Sequence, residues 1–366
     1  MPTQLRKALI KSSTVRPEVS KGGRYLSANI LSVLLYISTH GLNQSVLKFI
    51  AFTCLLAAAG GATAADFPSH PLRLIVPYAP GGNADIMARL VAQRLGENVG
   101  QQIVVDNRPG ASGIIGTELA VKAAPDGYTV VLVASSLATN PSLFTQMPYD
   151  TLRDLAPVSM VGSTPLILAA YPGLPAATVK DLLALAKARP GQLNYATSGS
   201  GSPANLAGAL LGYMTGIKLV HVAYKGTAQA MTDVLGGHVQ LSFPSMTAAL
   251  PHVRSGKLKA LGMTGLKRSP LAPDVPTVSE SGVAGYQASI WNGILAPSAT
   301  PRPLIAKLNA ELVRVLTSAE TSERFAAAGA DITHSTPEEF RAFVIAEQTK
   351  WEKVIRESGM RVELER

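Results

Sequence analysis

Apolar residues recur along this chain with two alternating periods. Short, largely apolar runs at 72–78 and 128–134 have the length and the Val, Ile and Leu content of buried strands, and 102–106 reads as a further strand. Between them, 83–95 and 114–123 carry apolar residues at helical spacing, with Ile86, Leu90, Val91 and Leu95 predicted on one face of the first helix. An apolar stretch at 158–170, broken at 162–165, predicts a strand that leaves one lobe and enters a second. The alternation then resumes. Thr178 and Asp181 form a capping pair for a helix ending near Ala188, and a strand from Leu193 runs into a Gly/Ser turn. Pro203 opens a helix through Leu206, Leu210 and Leu211. Strands at 219–224, 239–243 and 258–264 follow, with a helix at 228–235. Residues 270–276 read as a surface loop, and 287–296, with Trp291 at its middle, as a strand returning to the first lobe. Two or three helices close the chain. Thr336, Pro337, Glu338 and Glu339 open the last, whose Phe340, Phe343, Val344, Trp351 and Ile355 are expected to pack on the first lobe. This order predicts an α/β protein of two lobes, 66–168 with 290–366 and 169–289.

Two of the strand-to-helix turns stand out chemically. Pro80-Gly81-Gly82 and the run from Ser198 to Ser202 each lead through glycine into a helix start, where unpaired amides and the helix dipole attract anions. The strand at 128–134 ends at Ser135 and Ser136, with Thr139 close behind. In open α/β sheets ligands gather beyond the carboxyl ends of strands, so these hydroxyls belong to the same candidate pocket.

The first 65 residues read as a leader. Lys48 precedes an apolar run at 49–59, and Ala62 and Ala64 supply the small residues of a cleavage site, which predicts export and a chain beginning near Ala65. A second apolar run at 30–37 suggests a start assigned too far upstream, with synthesis beginning near 42–46. Cys54, the only cysteine, lies within the leader. The leader holds seven of the 33 Lys and Arg residues and one acid, so 26 basic residues face 23 acidic ones in the remainder. The whole-chain net charge of +9 therefore falls to about +3, which removes the case for a nucleic-acid partner.

Candidate catalytic patterns fail one by one. The run Gly199-Ser200-Gly201-Ser202-Pro203-Ala204 matches a dinucleotide fingerprint in form, but the next strand offers His221, Tyr224 and Lys225 where that reading needs an acid. No serine has glycine two residues to each side, so a nucleophile elbow is missing. His221, His238, His252 and His334 show no metal-ligand spacing. Asp85, in a helix's first turn, is favoured there by the dipole alone. No cofactor and no metal is expected.

Several ordered motifs then converge: Arg73 to Asp85, Val105 to Gly113, Pro125 to Tyr128, Asn140-Pro141, Pro148 to Asp150, Asn194-Tyr195, Tyr224 to Gly226 and Asp274 to Thr277. Together they resemble the Bug family of periplasmic receptors, the solute-binding component of tripartite tricarboxylate transporters, from Phe67 to the end of the chain. The resemblance implies a type II periplasmic-binding fold, with two α/β lobes, a two-strand hinge and a ligand cleft between them. It also implies a small organic acid as ligand, permease subunits of the transporter as partners, a monomer in the periplasm, and no catalysis. Mapped by motif, Ala79, Gly81, Gly82, Asn83 and Asp85 would bind ligand from lobe one, with Ser198, Gly199, Ser200, Gly201 and Ser202 from lobe two. Ser135, Ser136, Thr139, Tyr224, Lys225 and Phe243 complete the candidate set. Amides after Gly82 and Gly201 are expected to face each other across the closed cleft, without an Arg clamp. Asn83-Ala84 stands where the family often has Ser-Thr, Asn205 where it has His, Ala223 where it has Pro, and Phe243-Pro244 where it has Phe-Asp. These departures leave the identity of the ligand open. The other readings are an exported enzyme acting on a small ester or amide, and a ligand sensor for a signalling partner.

Overall fold

The computed structural model describes residues 67–360, so the leader reading lies outside the described residues. The chain opens with β1 (Leu72–Val76), α1 (Asn83–Val99), β2 (Ile103–Asn107), α2 (Ile114–Val121), β3 (Thr129–Ala134), α3 (Ser136–Leu143) and β4 (Leu155–Thr164). It continues through β5 (Ile167–Ala170), α4 (Val179–Ala188), β6 (Leu193–Thr197), α5 (Pro203–Thr215), β7 (Leu219–Ala223), α6 (Thr227–Leu235), β8 (Leu241–Ser242), α7 (Met246–Arg254) and β9 (Lys259–Met263). Last come β10 (Ile290–Pro297), α8 (Arg302–Leu316), α9 (Ala319–Ala327), β11 (Asp331–Ile332) and α10 (Pro337–Ser358).

The strands form two sheets, ordered β11-β4-β10-β3-β1-β2 and β7-β6-β8-β5-β9. In the first, β1 runs parallel to β2 and β3, while β10 is inserted antiparallel between β3 and β4. In the second, β6 runs parallel to β7 and β8, and β5 is antiparallel to β8 and β9. The central strands are covered on both faces, which is why they read as continuous apolar runs: β5 is buried at every position and β3 at all but its first.

The chain crosses between the sheets twice, and the crossings are tied together. Thr164 pairs with Ile290 at the edge of the first sheet, and Ile167 pairs with Met263 at the edge of the second. The fully buried Thr264 joins the two crossing segments. Its hydroxyl accepts from the Leu166 amide at 2.7 Å and donates to the Ala288 carbonyl at 2.9 Å.

The final helix is held at both ends of its range of contacts. Its capping box, Thr336 with Glu339, forms as the sequence predicts. Phe340, Val344, Trp351, Val354 and Ile355 are buried and Phe343 half-buried, but α10 packs on α5 of the second sheet as well as on α3 and β4 of the first. The Glu347 carboxylate accepts from the indoles of Trp291 and Trp351 at 3.2 and 3.0 Å. Lys350 donates to Glu347 and, at 3.4 Å, to the Gln287 carbonyl beside the second crossing.

Several expectations need correction. The buried face of α1 is Ala84, Asp85, Met87, Ala88, Val91, Ala92 and Leu95, whereas Ile86 is 42% exposed. The sequence reading places no helix at α3 or α7, and each contains a proline, Pro141 and Pro251, that argues locally against one. Burial of Leu137, Ala138 and Leu143 in one and of Met246, Ala249 and Leu250 in the other outweighs that propensity. The strand expected at 239–243 contracts to Leu241–Ser242, since Gly236 and Gly237 turn the chain before it and Pro244 follows it.

A side chain cannot be added at the contact between β10 and α10. A Cβ on Gly293 would lie 2.2 Å from the ring of the fully buried Phe340. We expect Gly293→Ala to lower unfolding free energy by about 1–3 kcal/mol. By contrast, Gly226→Ala, at extended backbone with no atom within 4 Å of the new methyl, should cost no more than the change of helix cap, below about 1 kcal/mol. Urea unfolding of both variants checks this, and equal stabilities would show that Phe340 has room to move.

Candidate functional site

The strand registers bring the carboxyl ends of both parallel sets to the same crossing. On the first sheet β1 ends before Tyr78, β2 at Asn107 and β3 before Ser135, and the antiparallel pairing places Thr164 on that same edge. On the second sheet β6 ends at Thr197, β7 before Tyr224 and β8 before Phe243, and the start of β5 at Ile167 lies on that edge. Only Pro165 and Leu166 separate Thr164 from Ile167.

The first turn is built around a buried carboxylate. Gly81 adopts φ 78°, a left-handed conformation suited to glycine, and its amide donates to Asp85 Oδ2 at 2.9 Å. Arg89 Nε donates to the same oxygen at 3.0 Å, and Asn107 Nδ2 donates to Asp85 Oδ1 at 2.9 Å and to the Tyr78 carbonyl at 3.1 Å. Asp85 is 3% exposed. Burial alone would raise its pKa, but the bonds from Arg89, Gly81 and Asn107 outweigh it and hold the carboxyl below its usual range. Tyr78 places its hydroxyl 2.9 Å from the Ala134 amide and 2.7 Å from Ser136 Oγ. A Cβ on Gly113 would come within 3.1 Å of that hydroxyl, which accounts for the glycine closing the 105–113 motif. Gly82, at φ −78°, offers no side-chain cap to the first amides of α1. Asn83 Nδ2 donates to Thr164 Oγ1 at 2.9 Å, while its buried Oδ1 has no partner.

The second turn is pinned at both glycines. Gly199, at φ 127°, donates its amide to Thr197 Oγ1 at 3.2 Å, and that hydroxyl shares a 2.6 Å hydrogen bond with His221 Nε2. Burial lowers the His221 pKa, favouring the neutral ring. Gly201, at φ 74°, donates to Asn205 Oδ1 at 3.0 Å, and Asn205 Nδ2 donates to the Tyr195 hydroxyl at 2.9 Å. Ser202 Oγ accepts the Asn205 amide and donates to the Gly199 carbonyl at 2.7 Å, so it serves as a helix cap. Tyr224 donates to Asp233 Oδ2 at 2.5 Å, and that bond is the main reason its phenol is pushed up to about 12.

The candidate residues therefore divide by burial. Ala79, Gly81, Gly82, Ser198, Ser200 and Lys225 are exposed on the two edges. Asn83, Ser135, Ser136, Gly199, Gly201, Ser202 and Tyr224 are half-buried beside them. Asp85, Thr139 and Phe243 are buried: Asp85 holds the first turn, Thr139 bonds the Ser136 carbonyl at 3.3 Å, and Phe243 packs edge-on against Tyr195 in the core. The Gly201 amide and the Ser202 hydroxyl are already bonded within their turn. Sequence reasoning did not single out Tyr78, Asn107 or Thr197, and named Asn205 only as a departure. A polar residue standing where an apolar strand stops was the available signal for Asn107 and Thr197. The two sides also touch at the turn after α9, where a Cβ on Gly329 would lie 2.7 Å from Thr247 Cγ2 in α7. A cavity of about 900 Å³ between α3, the 144–153 segment and the end of α10 lies off both edges. Among the described residues no group of three or more His, Cys, Asp or Glu side chains could hold a metal ion, and no helix is long and apolar enough to cross a membrane.

Residues 87–360 match the family described as the tripartite tricarboxylate transporter family receptor. Protein BugT of Bordetella pertussis is 41% identical over 313 residues, 85% of this chain and 96% of that protein. Among solved structures, R. palustris Rpa4515 with adipate is 34% identical with a TM-score of 0.69, covering 82% of this chain and all of that one. The periplasmic binding protein BugD is likewise 34% identical, with a TM-score of 0.66 over 81% of this chain and all of its own.

Replacing Asp85 by Asn keeps the shape but turns an amide donor toward groups that themselves donate. We expect Asp85→Asn to cost about 1–3 kcal/mol at neutral pH. Because the folded pKa is lowered, the parent's advantage is complete above the unfolded carboxyl pKa, about 3.9, and is lost as pH falls through the folded value. Urea unfolding at pH 7 and pH 3 should therefore show the gap narrowing in acid. A gap that widens in acid would contradict this account of the turn.

Proposed function

Because the chain belongs to the tripartite tricarboxylate transporter receptor family, we propose that it captures a small carboxylate-bearing metabolite between its two carboxyl edges and delivers it to a membrane permease. The observation that supports this most is the pair of glycine turns, each just ahead of a helix start, on edges joined by the two crossings. Adipate, present with the similar Rpa4515, has carboxylates of the kind such turns suit. In this reading the exposed hydroxyls of Ser198 and Ser200, the first amides of α1 and the Lys225 ammonium contact the ligand, with bridging water. Ala79, Gly81 and Gly82 allow close approach of backbone, and Ser135 and Ser136 line the first edge. Asp85, Thr139 and Phe243 support the turns from beneath.

The lobes proposed are 66–168 with 290–366 and 169–289, closing about the segment pair that Thr264 ties together. The apolar run ending before Ala64 favours export, and the likeness to a protein described as a periplasmic binding protein favours a mature receptor in the periplasm, which we propose acts as a monomer. A receptor needs no nucleophile: Ser136 bonds Tyr78 and Ser202 bonds the Gly199 carbonyl, and the Thr197 hydroxyl, which does meet His221, is only 1% exposed.

Mass spectrometry of natively purified protein, with calorimetry against succinate, malate, glutarate and adipate, should find one bound carboxylate and no turnover. Turnover of small esters or amides at enzyme-like rates would replace the receptor reading with a hydrolytic one. Gly82 offers a clean variant, since its φ of −78° suits any residue and a Cβ there meets only the Ala79 carbonyl, at 3.4 Å. Gly82→Val should fold as the parent does and bind at least about tenfold more weakly, because the side chain occupies the space of the approaching ligand. Unchanged affinity would remove this turn from the site.

A further inference from the structure

The two glycine turns are built to one plan but carry different charge. In each, a left-handed glycine stands two residues ahead of a helix, Gly81 before Asn83 and Gly201 before Pro203. In each, the third helical residue reaches back to that glycine's amide: Asp85 to Gly81 at 2.9 Å, Asn205 to Gly201 at 3.0 Å. Both side chains are buried, 3% and 2% exposed. We infer that Asn205 is a positioning residue that holds the second turn without adding negative charge to it, so that this turn carries the cleft's selectivity for anions. The inference rests on the carboxylate-receptor reading above.

Asp85 brings a full negative charge beneath the first amides of α1, and Arg89, the cation paired with it, is committed to that carboxylate. Asn205 accepts the equivalent amide as a neutral group and spends its own donor on the Tyr195 hydroxyl at 2.9 Å. The dipole at the start of α5 is therefore met only by neutral groups, Asn205 and the Ser202 cap, with no carboxylate in the first turn. Lys225 adds to it. It is exposed, has no ion-pair partner among the described residues, and follows Tyr224, whose amide is bonded to the Thr197 carbonyl at the foot of the same turn. The second edge thus joins a helix start with no carboxylate in its first turn to the Lys225 ammonium, with the Asp233 carboxylate taken up by the Tyr224 hydroxyl. The first edge instead places Asp85 and its partner Arg89 at the helix start itself.

The test compares Asn205→Asp, Asn205→Ala and Lys225→Gln with the parent by calorimetry, on proteins whose thermal melts show a folded state. The probe is whichever of succinate, malate, glutarate and adipate the parent binds tightest, together with its half-amide. Asn205→Asp should weaken the dicarboxylate at least tenfold and by more than Asn205→Ala, although only the aspartate keeps an acceptor for Gly201. The loss should be smaller for the half-amide, because it follows ligand charge. Should Asn205→Asp fail to fold, Lys225→Gln still tests the charge balance and should weaken the dicarboxylate threefold or more. Parent-like affinity in Asn205→Asp, a greater loss in Asn205→Ala, an equal loss for the half-amide, or no effect of Lys225→Gln would each overturn the inference. A parent that binds none of the four acids would overturn the carboxylate reading itself, and the inference with it.

Discussion

Everything about the cleft depends on a chain that crosses between its sheets twice at one place. The first crossing is two residues long, so the strand ends it connects cannot move far apart. The second is tied to the first by the Thr264 hydroxyl, which has no exposure to water and bonds one backbone group from each segment. A buried hydroxyl that satisfies two otherwise orphaned backbone groups is costly to remove, and it fixes which edges face each other. Because parallel strands present their carboxyl ends together, a fixed crossing also fixes which loops can share a ligand.

The loops then needed a shape that free backbone does not hold. Glycine in the left-handed region provides it but loses conformational freedom, and in both turns a side chain from the following helix repays that loss by fastening the glycine amide. The 105–113 motif supports this on the first sheet. Asn107 reaches both Asp85 and the Tyr78 carbonyl, and the Tyr78 hydroxyl reaches the end of β3. Motifs far apart in sequence are thus parts of one hydrogen-bonded scaffold.

Much of this was legible from the sequence, for reasons that can be named. Strands buried on both faces announce themselves as apolar runs, and the capping pairs at Thr178 and Thr336 marked their helices correctly because cap chemistry is local. What escaped were features decided at a distance. The α1 helix has apolar residues on more than one face, and only the sheet selects Met87 over Ile86. Pro141 and Pro251 argue locally against helices that tertiary burial nevertheless forms. At the turns, the glycines were readable and their fasteners were not, since nothing local to Asn205 or Asn107 says which amide each will bond.

The position of β10 has a consequence for the order in which the molecule can be made. It lies inside the first sheet, between β3 and β4, yet it is separated from β4 in sequence by the entire second sheet. A chain emerging from the ribosome must hold β3 and β4 without their shared neighbour until more than a hundred further residues are synthesised. The pairings of β10 with β3 and β4 are therefore long-range contacts of the kind that slow folding. The first sheet of such a polypeptide cannot be completed until β10 has been made.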